Sequence, residues 1–216
     1  MTRTLPRYIA VEGPIGVGKT SLAKRLAQTF NYDVVLEKPE ENPFLERFYR
    51  NPRQHALATQ LFFLFQRARQ LEELKQDDLF NPVRVADFLI DKDPLFARMN
   101  LDKDEFELYQ KVYQHLTPDA PVPDLVIYLQ APTHVLLSRI QKRGIPSEQA
   151  IEAEYLDRLN ASYTEFFHYY SRSPLLIVNS TDIDLVNHDG DYQQLVDRIL
   201  DAPQGVHYFN PKPVLL

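Results

Sequence analysis

A glycine-rich segment near the start of the chain carries the most specific chemical pattern in the sequence. It reads Gly-Pro-Ile-Gly-Val-Gly-Lys-Thr over residues 13–20 and matches the G-x-x-x-x-G-K-[ST] pattern of phosphate-binding loops. Glycines let backbone N–H groups approach phosphate oxygens, and the positive end of the following helix adds to the attraction. A tight strand–helix turn without a ligand is the alternative. The residues expected to bind the phosphates of a nucleoside triphosphate are Gly13, Gly16, Gly18, Lys19, Thr20 and Ser21.

Two carboxylates lie at or near the carboxyl ends of predicted strands. Glu37 ends the second strand and Asp87 lies within the third. The carboxyl ends of parallel strands line the ligand crevice, so both acids are expected to face the phosphates. One would hold Mg²⁺ with the Thr20 hydroxyl, and the other would contact an acceptor hydroxyl. An exposed acid at a strand end is the alternative for Glu37.

Two groups of side chains have helical spacing. Gln60, Phe63 and Arg67 lie at i, i+3 and i+7, a stripe of amide, ring and guanidinium that suits a planar heterocycle. The alternative is a core Phe63 and a solvated Arg67. Arg139 and Arg143 lie four residues apart on another helix, where they could close over phosphates during transfer. The alternative is a basic helix C-terminus that complements the dipole.

The elements that must position these residues alternate between strands and helices. Five short apolar runs lack the polar alternation of half-exposed strands, which is typical of a parallel sheet buried on both faces. We predict an α/β fold, namely a three-layer α/β/α arrangement with a five-stranded parallel sheet and a helical lid. The predicted strands are Tyr8–Glu12, Val34–Glu37, Val83–Phe88, Leu125–Gln130 and Leu175–Asn179.

Helical patterns separate the strands. Thr133 and Ser147 are candidate caps for two of them. Residues 1–200 are expected to form a single domain with a lid at about 139–150, and residues 201–216 an irregular tail. The predicted helices are Lys19–Thr29, Phe44–Tyr49, Arg53–Gln76, Asp104–Leu116, Thr133–Lys142, Ser147–Ser171 and Tyr192–Leu200.

Composition excludes several classes of function. The chain has 216 residues, no Cys and a formal net charge of −6. The absence of Cys excludes disulfides, thiolate zinc sites and cysteine nucleophiles. The acidic balance argues against a nucleic-acid partner. No apolar run approaches the ~20 residues that cross a bilayer, so we expect no membrane contact and a cytoplasmic location.

With these motifs in place, the chain resembles the deoxyribonucleoside kinase family, and its bacterial deoxyadenosine, deoxyguanosine or deoxycytidine kinases in particular. These are P-loop enzymes that phosphorylate a 5′-hydroxyl with ATP and Mg²⁺. The Glu37-Lys38-Pro39 segment is similar to the family's strand end that carries the general base, which implies that role for Glu37. The resemblance also implies transition-state contacts for Lys19, Arg139 and Arg143, and a Mg²⁺-side role for Asp87 beside Thr20.

The resemblance extends to the nucleoside site. The spacing of Tyr49, Gln60 and Arg67 is that of the family's sugar-binding tyrosine, base-reading glutamine and arginine. Glu148, followed by Glu154-Tyr155-Leu156, is similar to the family's contact with the 3′-hydroxyl. The nucleoside-binding residues implied are Tyr49, Gln60, Phe63, Arg67, Asp93 and Glu148.

Two departures leave alternatives open. The family's third strand ends in an acid-Arg-Ser motif, whereas this chain has Asp87-Phe88-Leu89, so a substitute for the arginine would be Lys38 or Lys92. The family's base-reading aspartate lies six residues beyond the acid, which indicates Asp93. Counting back from Phe96-Ala97 favours a position nearer Asp91.

We therefore expect transfer of the γ-phosphoryl group of ATP to the 5′-hydroxyl of a deoxyribonucleoside, with deoxyadenosine favoured. The alternatives are a nucleoside monophosphate kinase of the P-loop class and a nucleotide-dependent regulatory module without turnover. Apolar surface on the aromatic-rich helices, together with the resemblance, also favours a homodimer.

Overall fold

The computed structural model describes residues 5–77, 83–117, 120–201 and 204–211. Its strands form one sheet in the order β2-β3-β1-β4-β5-β6, and each neighbouring pair is parallel. This arrangement confirms the predicted α/β class and parallel sheet. The strands are β1 (Tyr8–Glu12), β2 (Asp33–Val35), β3 (Arg84–Ala86), β4 (Leu125–Gln130), β5 (Leu175–Asn179) and β6 (Val206–Phe209).

Helices connect the strands and cover the sheet. Short 3₁₀ turns at Pro39–Glu41, Ile90–Lys92 and Pro146–Ala150 interrupt the connections. The α-helices in the described residues are α1 (Lys19–Phe30), α2 (Leu45–Arg50), α3 (Pro52–Asp77), α4 (Asp93–Asn100), α5 (Lys103–Leu116), α6 (Thr133–Arg143), α7 (Ala153–Tyr169) and α8 (Asp189–Leu200).

The centre of the sheet is buried on both faces, as its continuous apolar runs predict. All five residues of β1 are buried, and so are the first five of β4. On one face, the Tyr128 ring of β4 stacks on Phe167 of α7, with centroids 4.1 Å apart. Leu22 and Leu26 of α1 belong to the same apolar core. The helices and the sheet thus share one continuous core.

The sheet has six strands rather than the predicted five, and part of the predicted irregular tail is a strand. β6 lies at the edge, where it pairs with β5 from Leu175↔Val206 to Val178↔Phe209. Its residues alternate between exposed and half-buried positions. Only main-chain pairing with β5 shows that it is a strand, because its sequence lacks the apolar run by which buried strands are recognised.

The predicted helix Ser147–Ser171 is divided, and a further helix was not predicted. A 3₁₀ turn ends at Ala150, and extended backbone at Ile151 and Glu152 separates it from α7. The N-cap residues are Pro132 for α6, Ile145 for the 3₁₀ turn and Glu152 for α7. Neither Thr133 nor Ser147 is therefore a cap. The unpredicted helix is α4, whose eight residues begin at Asp93-Pro94 and are too few to show a clear period.

Strand ends set the positions of the chemical groups. The loop that starts at Gly13 follows β1 directly, Asp87 follows β3, and Glu37 lies two residues beyond β2. Because β2, β3 and β1 are parallel neighbours, these three points meet at one edge of the sheet. None of the helices in the described ranges is long and apolar enough to span a membrane.

Candidate active site

The loop over residues 13–18 packs tightly against the end of β4. Gly13 has a φ of +149°, and a Cβ there would lie 2.4 Å from the carbonyl oxygen of Leu129, so only glycine fits. Lys19 begins α1 and donates from Nζ to the carbonyl oxygen of Gly13 at 2.7 Å. Burial, with Lys92 as a neighbouring positive charge, lowers the pKa of Lys19. The Lys19 side chain therefore lies across the backbone of the phosphate loop.

Asp87 connects this loop to the end of β2. Its Oδ2 accepts from the Thr20 hydroxyl at 2.5 Å, and its Oδ1 accepts from the backbone N–H of Glu37 at 2.7 Å. The two residues predicted to hold Mg²⁺ thus lie in contact and offer a hydroxyl and a carboxylate, the hard oxygen ligands that Mg²⁺ prefers. The described residues contain no group of three or more His, Cys, Asp or Glu arranged to hold a metal by themselves.

The Glu37 carboxylate lies among cations. Arg67 donates from Nε to Glu37 Oε1 at 2.5 Å, and Lys92 Nζ lies 3.5 Å from the same oxygen. Burial alone would raise the pKa of Glu37. The positive charges of Arg67, Lys92 and Lys19 outweigh burial and lower the pKa to about 2. Glu37 is therefore an ionised, oriented acceptor of hydrogen bonds.

Arg67 binds a second carboxylate on its other side. Its Nη1 donates to Oδ1 of Asp93, and both side chains are buried. Burial outweighs the positive charges of Arg67 and Lys92 and raises the pKa of Asp93 to about 6. Asp91, the other candidate for this position, is paired with Arg172. The structure thus brings Asp93, and not Asp91, to the cluster around Glu37.

A cavity extends from the phosphate loop to α2 and α3. Tyr49 is partly buried, and this burial, with Tyr155 and Glu148 nearby, raises the pKa of its phenol well above the usual value. Tyr49 therefore stays neutral and able to donate a hydrogen bond. The predicted residues that line this cavity are Gly16, Lys19, Thr20, Glu37, Tyr49, Gln60, Phe63, Arg67, Asp87, Arg143 and Glu148.

Arg139 and Arg143, the two arginines of α6 predicted to act together, contact different neighbours. Arg143 pairs with Glu148 at the cavity wall. Arg139 instead donates to the carbonyl oxygen of Ser180 at 2.6 Å and to that of Val17 at 3.3 Å. It thus lies against the back of the phosphate loop, outside the cavity lining.

Ser21 is exposed on α1, and Gly18, with a φ of +105°, precedes that helix.

Sequence reasoning missed Glu12 and did not choose Lys92. Glu12 is fully buried at the end of β1 and lies 3.1 Å from Lys92 Nζ. One signal was present, because an acid inside an apolar strand needs a partner. The partner lies 80 residues away in the sequence, and spacing does not identify it.

Comparison with known proteins gives consistent matches. The family model described as deoxynucleoside kinase matches residues 9–202. A deoxyguanosine kinase of Bacillus subtilis (strain 168) is 36% identical over 198 residues, which cover 89% of this chain and 95% of the relative. A deoxyadenosine/deoxycytidine kinase of the same organism is 30% identical over 201 residues, covering 88% and 90%. The structure of a deoxyadenosine kinase from M. mycoides with bound dATP matches with a TM-score of 0.76 and 27% identity, covering 89% and 98%.

The double role of Arg67 predicts a large loss of stability when it is replaced. Arg67→Met leaves Glu37 and Asp93 buried without their shared partner, and we expect the free energy of unfolding to fall by about 3–5 kcal/mol. The matched control is Arg69→Met on the same helix, since Arg69 is exposed and pairs with Glu73 at the surface. It should remain within about 0.5 kcal/mol of the wild type. Urea denaturation measures both, and similar small changes would show that the buried cluster is unimportant for folding.

Proposed function

Because the chain belongs to the deoxynucleoside kinase family, we propose that it transfers the γ-phosphoryl group of ATP to the 5′-hydroxyl of a purine deoxyribonucleoside, with deoxyadenosine preferred. The observation that carries this proposal is the position of Glu37, whose carboxylate lines one cavity with Lys19 of the phosphate loop. A sugar hydroxyl in that cavity would lie between a hydrogen-bond acceptor and the terminal phosphate of ATP.

The phosphoryl transfer requires positioning and charge stabilisation more than covalent chemistry by the protein. Glu37 accepts the hydrogen bond of the 5′-hydroxyl and then its proton. Lys19 and Arg143 balance the charge of the transferring phosphoryl group. Arg139 supports the reaction from behind the loop, through its bond to the carbonyl oxygen of Val17. The lid over 139–150 carries Arg143 to the cavity.

Thr20 and Asp87 would hold Mg²⁺ that arrives with ATP. Their direct contact places a hydroxyl and a carboxylate at the start of α1, beside Lys19. When bound there, Mg²⁺ would neutralise part of the phosphate charge. Asp87 also accepts from the backbone N–H of Glu37, so the same carboxylate would help to hold the residue that receives the hydroxyl proton.

Purine preference is supported by the names of the relatives. The Gln60 amide offers an acceptor and donors, as the edge of adenine or cytosine requires, and it lines the cavity beside Phe63. Arg67 lines the same cavity and is paired with Asp93, and the two would distinguish carbonyl from amino groups. The curated relatives include deoxyguanosine kinases, a deoxyadenosine kinase and a deoxyadenosine/deoxycytidine kinase.

We further propose a cytoplasmic homodimer. Leu108 on α5 is 50% exposed and Tyr169 on α7 is 76% exposed, so both helices have apolar groups left for a second copy to cover.

The direct test of the function is a panel of the four common deoxynucleosides with Mg·ATP. We expect ADP and a 5′-monophosphate to form faster with the two purine nucleosides than with the pyrimidines, and fastest with deoxyadenosine. Two results would contradict the proposal. A monophosphate that is a better acceptor than its nucleoside would indicate a nucleoside monophosphate kinase. Binding of ATP and nucleoside without ADP release would indicate a regulatory module.

Replacing the proposed base tests its role. Glu37→Gln should lower kcat by about 100-fold or more, because the hydroxyl proton loses its acceptor, while nucleoside KM changes only a few-fold. Glu41→Gln is the control, since Glu41 is half-exposed and pairs with Lys38. Steady-state kinetics of both variants with deoxyadenosine provide the comparison. Normal turnover by Glu37→Gln would show that Glu37 is not the base.

The sugar site predicts discrimination at the 3′ position. Tyr49 and Glu148 would hold the 3′-hydroxyl, so a 3′-deoxy analogue should lose about 10-fold or more in kcat/KM through the unpaired groups. In Glu148→Ala the difference between the two substrates should shrink. Equal kcat/KM for both nucleosides in the wild type would refute the role of this pair.

A further inference from the structure

Lys92 is a buried ammonium at the end of the Ile90–Lys92 turn. Its side chain is 2% exposed, and its Nζ lies 3.1 Å from Glu12 Oε2 and 3.3 Å from Glu12 Oε1. The same Nζ lies 3.5 Å from Glu37 Oε1 and lines the cavity with it. An ammonium has three N–H groups. Two suffice for the oxygens of Glu12, which leaves a third for the Glu37 carboxylate 3.5 Å away.

Glu12 is itself rigidly held. Its Oε1 accepts from the backbone N–H of Gly13 at 2.8 Å and from the Tyr163 hydroxyl at 2.8 Å. Its Oε2 accepts from the backbone N–H of Leu89 at 2.9 Å. A buried ion pair adds little net stability, because both charges lose their hydration. The arrangement therefore fixes the position of the Lys92 ammonium more than it stabilises the fold.

The position next to Asp87 lacks the cation that the family resemblance leads one to expect. Phe88 is fully buried there and carries no charge. Of the two candidate substitutes, Lys38 is 58% exposed and pairs with Glu41 at 3.2 Å, away from the cavity lining. Lys92 reaches the carboxylate of Glu37 from four residues beyond Phe88.

We propose that Lys92 is a positioning residue that holds the Glu37 carboxylate towards the acceptor hydroxyl, in place of the arginine that Phe88 replaces. This inference rests on the proposed function. In that reaction the hydroxyl proton passes to Glu37 and the acceptor oxygen bonds to the γ-phosphorus. The bond from that phosphorus to the β–γ bridging oxygen breaks, and ADP leaves. Lys92 acts on the first of these events, through Glu37.

The experiment separates this role from that of a counter-ion for Glu12. Lys92→Met alone would bury an unpaired Glu12, so the informative variant is Lys92→Met combined with Glu12→Gln, which removes the ion pair as a unit. Lys92→Gln, which keeps N–H donors towards Glu12, is measured beside it, so the test does not depend on one variant folding. Lys38→Met is the matched control.

We expect both Lys92 variants to lose at least about 10-fold in kcat with deoxyadenosine, while the KM for deoxyadenosine stays within a few-fold. Lys38→Met should leave both kcat and the KM for deoxyadenosine unchanged.

Two outcomes would overturn the inference, and they are distinguishable. If the wild type phosphorylates deoxyadenosine and both Lys92 variants retain its kcat, Lys92 serves only Glu12, and the proposed function stands. If the wild type phosphorylates none of the four deoxynucleosides, the proposed function is wrong and the assignment of Lys92 falls with it.

Discussion

Two buried cations share the carboxylate of Glu37. The part of the cavity that we propose binds the acceptor hydroxyl depends on this contact. Arg67 and Lys92 approach the same oxygen, Oε1. Each cation is held by a second acid, Arg67 by Asp93 and Lys92 by Glu12. Charges removed from water are tolerated only with partners of this kind, so the five side chains form a unit. Its result is a carboxylate that stays ionised and fixed in direction.

The parallel sheet brings this unit to the phosphate loop. β1 ends in Glu12 and leads into the loop, while β3 ends beside Asp87. Asp87 accepts from the Thr20 hydroxyl on one side and from the Glu37 backbone on the other. The end of β3 and the carboxylate of Asp87 therefore link the phosphate loop to the cluster around Glu37. The two hydrogen bonds that make this link are 2.5 and 2.7 Å long.

Much of this arrangement could be predicted from local sequence. The phosphate loop has a fixed pattern, and buried parallel strands are continuous apolar runs, so Glu37 and Asp87 could be placed at strand ends. β6 could not be predicted, because an exposed edge strand lacks such a run. The choice between Asp91 and Asp93, and between Lys38 and Lys92, depended on contacts between distant segments. The contacts of Arg139 with Val17 and Ser180, outside its own helix, could not be predicted from helical spacing either.

We propose that one carboxylate, fixed by buried cations, lies between a sugar hydroxyl and the terminal phosphorus of ATP. A crystal structure of the protein with deoxyadenosine, Mg²⁺ and an ATP analogue that does not transfer its terminal phosphate measures this directly. The account predicts a Glu37 oxygen about 2.6–3.2 Å from the 5′-oxygen, with that oxygen in line with the γ-phosphorus. A nucleoside bound with its 5′-oxygen beyond hydrogen-bond reach of Glu37, or with Glu37 turned out of the cavity, would contradict it.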